Sequence, residues 1–129
     1  MKTPLIPISW GELFDKLTIL QIKLENLHDK NALMNVKIEY DQLHIIYNKN
    51  FLENEKAKLF ITNLKKINQK LWNIEDEIRE KERNKTFDEE FIKLAREVYI
   101  TNDQRSHIKR NINETFDSKI IEEKSYQDY

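Results

Sequence analysis

Four residues of the third apolar stretch carry side chains that could recognise a ligand. Trp72, Glu75, Asp76 and Arg79 are spaced three, four and seven apart, so a helix puts them on one face. They lie beside the apolar positions Leu71, Ile74 and Ile78. A ring, two carboxylates and a guanidinium together could line a groove; the plainer alternative is an edge tryptophan with a solvated Glu75–Arg79 pair. A second group follows downstream, where the apolar stripe of the fourth stretch breaks between Val98 and Ile108. The reading places Asn102 and Arg105 on the core side, flanked by Asp103 and Lys109. A buried amide or guanidinium without a partner is costly, so this belt needs a protein network or a bound anion. Either role suits Arg, whose planar fork grips carboxylate or phosphate through two bonds.

Register suggests which carboxylates serve Arg105. If the third and fourth helices turn near Lys85, Asn102 lies level with Asn68 and Arg105 with Lys65. Glu75 and Asp76 would then sit ~10 Å or more further along the axis. Glu12 and Asp15 of the first helix are the better partners, and the belt and the Trp72 face read as two separate clusters.

Other chemistries fare worse. Glu25-x-x-His28 and Asp41-x-x-His44 have the carboxylate-x-x-His form of helical di-iron sites. In a hairpin turning near Lys30 the two would be far apart, so no shared metal is expected. Arg105, His107, Lys109 and Arg110 form a local basic turn of helix offset by Asp103 and Glu114. A single Gly rules out a phosphate loop, and the chain has no Cys for thiolate ligands or nucleophiles. No cofactor is expected.

The elements that must position these groups are helical. With one Gly, two early Pro and 35% charged residues, the chain lacks material for hairpin turns. Met1–Ile8 reads as an extended lead-in. Ser9 and Glu12 form a capping box, with Ile8 and Leu13 at the staple positions. Leu13, Leu17, Leu20, Leu24 and Leu27 then mark a first helix from Trp10 to about His28. A turn near His28–Asn31 leads to a second helix carrying Leu33, Val36, Tyr40, Leu43 and Tyr47. The next turn falls within Asn48–Asn54. Ala57, Phe60, Leu64, Ile67, Leu71, Ile74 and Ile78 give the third helix an unbroken three-four alternation. Thr86 and Glu89 suggest a second capping box, opening a fourth helix with Phe91, Leu94, Val98, Ile108, Ile112 and Phe116. Ser118 reads as the cap of a short last segment with Ile120 and Ile121. Glu122–Tyr129 is a polar tail that docks through Tyr126 or frays. The expected fold is all-α: one domain over 1–129, an antiparallel bundle of four main helices with a long central helical hairpin.

Composition limits the partners. Lys+Arg total 22 against 23 Asp+Glu, a net charge of −1, which argues against nucleic-acid binding. No apolar run approaches a membrane span and the N-terminus does not read as a secretory signal, so a cytoplasmic location is expected. Off-stripe Ile38 and Ile45 give the second helix an extra apolar face, suited to a protein partner or a homo-oligomer.

Several segments carry a wider likeness: Pro4–Lys16, Leu71–Asp76, Tyr99–Arg105, Ile108–Asn113 and Glu122–Tyr126. In this order they resemble an uncharacterised bacterial family of helical proteins, domain-of-unknown-function family 6165. The likeness spans nearly the whole chain, with Lys30 to Leu59 generic. It implies no established activity. Similar domains occur beside glycosyltransferase or tetratricopeptide-type segments, which implies an accessory part in surface-polysaccharide assembly. The likeness also implies that the capped helix start, with Glu12, Asp15 and Lys16, meets the Trp72 face and the Asn102/Arg105 belt around one feature. The alternative function is a helical enzyme or binder for an anionic small molecule such as a nucleotide-sugar or phosphosugar. Arg105, Lys109 and Asn102 would grip the anion, with Glu12 or Asp15 as acid/base.

Overall fold

The computed structural model describes all 129 residues, and every regular element is a helix. They are α1 (Trp10–Asn26), α2 (Lys30–Phe51), α3 (Glu55–Arg83) and α4 (Glu89–Thr115). Ser9 caps α1, its hydroxyl accepting from the Glu12 amide at 3.1 Å. Glu12 does not close the box: its carboxylate turns to Lys109 of α4. Asp29 and Asn54 cap α2 and α3 by accepting from the amides of Ala32 and Ala57.

Two expected boundaries move, for one physical reason. The ends of α3 and α4 in this glycine-poor chain are made by non-glycine residues in the left-handed region. Lys85 has φ 52° and Asp117 φ 50°. Each sits in a Schellman-type closure, in which Thr86 N–H donates to Lys81 carbonyl and Ser118 N–H donates to Asn113 carbonyl. Thr86 is therefore spent ending α3, and Asp88 caps α4 by accepting from the Phe91 amide at 3.0 Å. Ser118 likewise starts no helix. Its hydroxyl donates to the Ile120 carbonyl and accepts from the Trp10 amide, and Ile120 and Ile121 are exposed.

α1 is the centre of the bundle and packs on each of the other three helices, while α3 and α4 form the long hairpin. Surrounded on three sides, α1 buries its apolar stripe and also Gly11, Asp15 and Thr18. Phe14 is fully buried among the rings of Tyr47, Phe51 and Phe116. Trp10 packs edge-on against Phe51 at 5.1 Å. This aromatic cluster fixes how the start of α1 meets the ends of α2 and α4. α2 is peripheral, with only Val36 and Phe51 buried.

Gly11 permits the tight contact of α1 with α4. A Cβ there would lie 2.6 Å from the Lys109 carbonyl oxygen and 2.9 Å from Asn113 Oδ1. The Gly11 amide instead donates to Asn113 Oδ1 at 2.7 Å. That close approach sets Asp15, one turn further along α1, against α3 and α4.

Candidate functional site

Asp15 is the hub of a buried polar network. Its side chain is 4% exposed. Asn68 of α3 donates through Nδ2 to Asp15 Oδ1 at 2.9 Å and to Thr18 Oγ1 at 2.8 Å. The Thr18 hydroxyl donates onward to the Asp15 backbone carbonyl. Two cations of α4 face the carboxylate: Arg105 Nε at 3.7 Å and Lys109 Nζ at 3.8 Å. Three carboxylates therefore enclose Lys109, because its ammonium also donates to Glu12 at 2.9 Å and Glu122 at 3.1 Å. Burial opposes its charge, but the bonds to Glu12 and Glu122 and the charge of Asp15 outweigh it and hold Lys109 above its ordinary value.

Sequence register named Glu12 and Asp15 as the better partners of Arg105; Asp15 faces Arg105, whereas Glu12 pairs with Lys109. The structure also corrects the belt itself. Asn102 is exposed and Thr101 is the buried residue. The inward face of α4 runs Leu94, Val98, Thr101, Arg105, Ile108 and Ile112, alternating four and three. Stepping four rather than three from Val98 gives Asn102, which lies outside that line. Asp103 faces the tail, accepting from the Tyr129 hydroxyl at 2.6 Å. Lys16 is half-buried and joins none of the network's bonds or ion pairs.

The two clusters are not separate. Arg105 reaches into a groove of about 340 Å³ that it shares with Trp72, Glu75, Asp76 and Arg79. Ile19 and Ile22 of α1, with Leu71, give the groove apolar surface, and Asn68 closes its inner end. Arg105 meets Asp15 beside Asn68, not at the expected level of Lys65. The long arginine side chain spans the axial gap that counting along the helices treated as a separation. Arg105 makes its ion pair with Asp15. Glu75 instead takes Arg79 at 3.2 Å in an exposed pair. The groove thus holds two guanidiniums, two carboxylates and a half-buried indole.

Sequence reasoning missed Asn68, Thr18, Asn113 and Glu122. Asn68 was detectable, since it follows Leu64 by four on the inward stripe. Thr18 and Asn113 gave no comparable signal, because Thr18 is buried against Asn68 of α3 and Asn113 by the close contact at Gly11. The tail also docks differently. Glu122 and Glu123 pair with Lys109 and Arg110, and Tyr129 packs edge-on against Tyr99 at 5.3 Å. Tyr126, the expected anchor, is 79% exposed.

The carboxylate-x-x-His pairs take unrelated partners. Glu25 pairs with Lys65, and His44 stacks between Tyr40 and Tyr47. No group of three His, Asp or Glu side chains is placed to hold a metal ion. No helix is long and apolar enough to cross a membrane.

The model of a family of unknown function, DUF6165, matches residues 4–129, from the lead-in through α1–α4 to the docked tail. The chain belongs to DUF6165. The match takes in every residue of the Asp15 network and of the groove, so both lie inside the DUF6165 domain. No curated protein and no solved structure matches the chain.

Proposed function

We propose that this protein is a non-catalytic accessory module. Its α1–α3–α4 groove holds an anionic, hydroxyl-bearing small molecule of the phosphosugar or nucleotide-sugar class. The observation that carries this reading is the different use of the two α4 cations. Lys109 is enclosed by three carboxylates. Arg105 opens onto the groove beside Trp72 and Arg79. Guanidiniums match phosphate oxygens through paired bonds. Glu75 and Asp76 offer acceptors for sugar hydroxyls, and the indole offers a flat apolar wall. The grip passes from the expected Asn102 and Lys109 to Arg79 and Trp72, with Arg105 retained.

Binding is favoured over turnover because the acid/base candidates are committed. Glu12 accepts from Lys109, and Asp15 accepts from Asn68. An accessory part in surface-polysaccharide assembly rests on the family resemblance alone, and a cytoplasmic setting on the lack of a membrane-spanning helix.

The test follows Trp72 emission in a Trp10→Phe background. Uridine-diphosphate hexose, hexose phosphate and inorganic phosphate are titrated separately. The expected result is saturable quenching by a sugar-bearing ligand, weakened about tenfold or more by Arg105→Gln, which is ~1.4 kcal/mol. Flat emission and no binding heat with all three ligands at millimolar concentration would sink the reading. Phosphorus NMR showing ligand turnover that Asp15→Asn abolishes would replace it with an enzyme.

A further inference from the structure

The tail after α4 supplies the third carboxylate of the Lys109 site, yet little else holds it down. It leaves the bundle at Ser118, whose hydroxyl accepts from the Trp10 amide. Residues 119–129 have no regular structure and all are exposed, so no apolar side chain anchors them in the core. The anchors are polar: Glu122 on Lys109, Glu123 on Arg110 and the Tyr129 hydroxyl on Asp103. One ring contact, Tyr129 against Tyr99, joins them. The Glu122 and Glu123 side chains are 44% and 75% exposed, where ion pairs hold weakly against water and salt. Glu122 also carries a replacement partner with it, since Lys124 of the tail pairs with it at 2.9 Å. A segment held this way opens ahead of the rest of a fold.

What the tail touches is less peripheral. Lys109 is only 10% exposed and has three N–H donors. Two of them go to Glu12 and Glu122. Asp15 Oδ2 stays 3.8 Å away, beyond hydrogen-bond reach. Arg105, one turn back along α4, stands 3.7 Å from Asp15 Oδ1. Two cations thus share a buried carboxylate that neither one bonds, and Glu122 pulls on one of them. No tail residue lines the groove. The tail does not block it, and its route to Arg105 is the Lys109–Asp15 contact.

We propose that the tail is a strap that restrains the groove from behind. With Glu122 in place, Lys109 is held off Asp15, and Arg105 supplies the charge that the buried carboxylate needs. With Glu122 withdrawn, the released ammonium donor closes on Asp15 Oδ2. Arg105 is then no longer tied to Asp15, and its guanidinium turns to an anion in the groove. The charge count has the same sign. Docked, the carboxylates of Glu12, Asp15 and Glu122 face two cations, leaving one excess negative charge beside the groove. Withdrawn, the charges balance. The effect on anions rests on the reading of the groove as an anion site; the exchange of partners at Asp15 does not. Release needs only that salt screens Glu122 and Glu123 or that a basic surface claims them.

The experiment is nitrogen-15 NMR of the arginine side chains in the full chain. The Arg105 Nε–H signal is identified by its loss in Arg105→Gln. Glu122→Ala cuts the strap. Glu114→Ala is the control, because it removes the same charge from an exposed partner of Arg110 and does not touch Lys109. Arg105 Nε–H is expected to exchange with water about fivefold faster in Glu122→Ala, the low end for coupled sites, and at its original rate in Glu114→Ala. Hexose phosphate, titrated into the same samples, is expected to bind Glu122→Ala about fivefold tighter than the unsubstituted chain. Unchanged Arg105 exchange in Glu122→Ala would overturn the proposal. So would an equal change in the control, or hexose phosphate bound with the same affinity by both chains. Faster Arg105 exchange with no binding to either chain would sink the anion reading of the groove and still support the exchange of partners at Asp15.

Discussion

The backbone amide of Gly11 donates to the side chain of Asn113 at 2.7 Å, joining the first turn of α1 to the last turns of α4 across 102 residues of sequence. The contact exists because Gly11 has no Cβ; one would come within 2.6 Å of the Lys109 carbonyl oxygen. Gly11→Ala must push two packed helices apart, since the nearest atom is backbone and cannot rotate away. The expected loss is about 2 kcal/mol, in the range of overpacked cores. It should appear in urea unfolding as a lower midpoint at constant slope. A stability equal to or above that of the unsubstituted chain would show that the helices part without cost.

Lys109→Met removes the cation that Glu12, Asp15 and Glu122 share and leaves Asp15 buried beside Arg105 alone. Breaking one side of a buried ion pair costs about 3 kcal/mol or more. Lys109→Met is therefore expected to lower stability by about that amount. Restoring charge with Lys109→Arg should recover only part of it, because a planar fork does not fit a site built around a compact ammonium. Chemical denaturation of both variants measures this, and a neutral Lys109→Met would remove Lys109 from the network.

Thr101 is fully buried and its hydroxyl has no hydrogen-bond partner. Replacing an unpaired buried hydroxyl by a methyl of similar shape relieves a desolvation cost. Thr101→Val should therefore raise stability by roughly 1 kcal/mol. Destabilisation of that size would reveal a partner for the hydroxyl.

The tail should come loose at both pH extremes. Hydrogen bonds from Lys124 and Lys109 hold Glu122 below its usual value. Its contribution is present above the unfolded carboxylate range and is lost as pH falls through the lower folded value, below about pH 4. At the alkaline end the bond to Asp103 pushes the Tyr129 phenol up to about 12. Its contribution is complete below about pH 10 and is lost as pH rises through the folded value. Lys109, also raised, adds loss in the same direction. An absorbance titration should find one of the five tyrosines ionising near 12, moving toward 10 in Asp103→Asn. No tyrosine ionising near 12 would mean that the tail is not docked.

Helix number and most helix limits were legible because they rest on contacts within a few residues. Ser9 caps its own helix, and the three-four alternation of α3 from Ala57 to Ile78 selects one face whatever packs on it. The misread boundaries, at Thr86 and Ser118, are places where another helix end claimed the residue first. Asn102 was misplaced by one step in a periodic count, because a gap of polar residues gives the count nothing apolar to anchor it.

The sequence by itself determined four amphipathic helices and their antiparallel order. Local hydrogen bonding and the period of apolar residues act over one or two turns, so they can be read along the chain. Only the tertiary structure decided that α1 would lie at the centre, with Asp15 buried between Asn68 and Lys109 and with Trp72 and Arg105 sharing one groove. Those outcomes depend on how closely helices approach and how far a long side chain reaches. A missing Cβ at Gly11 and the length of one arginine settle both, and neither changes the periodicity of the sequence.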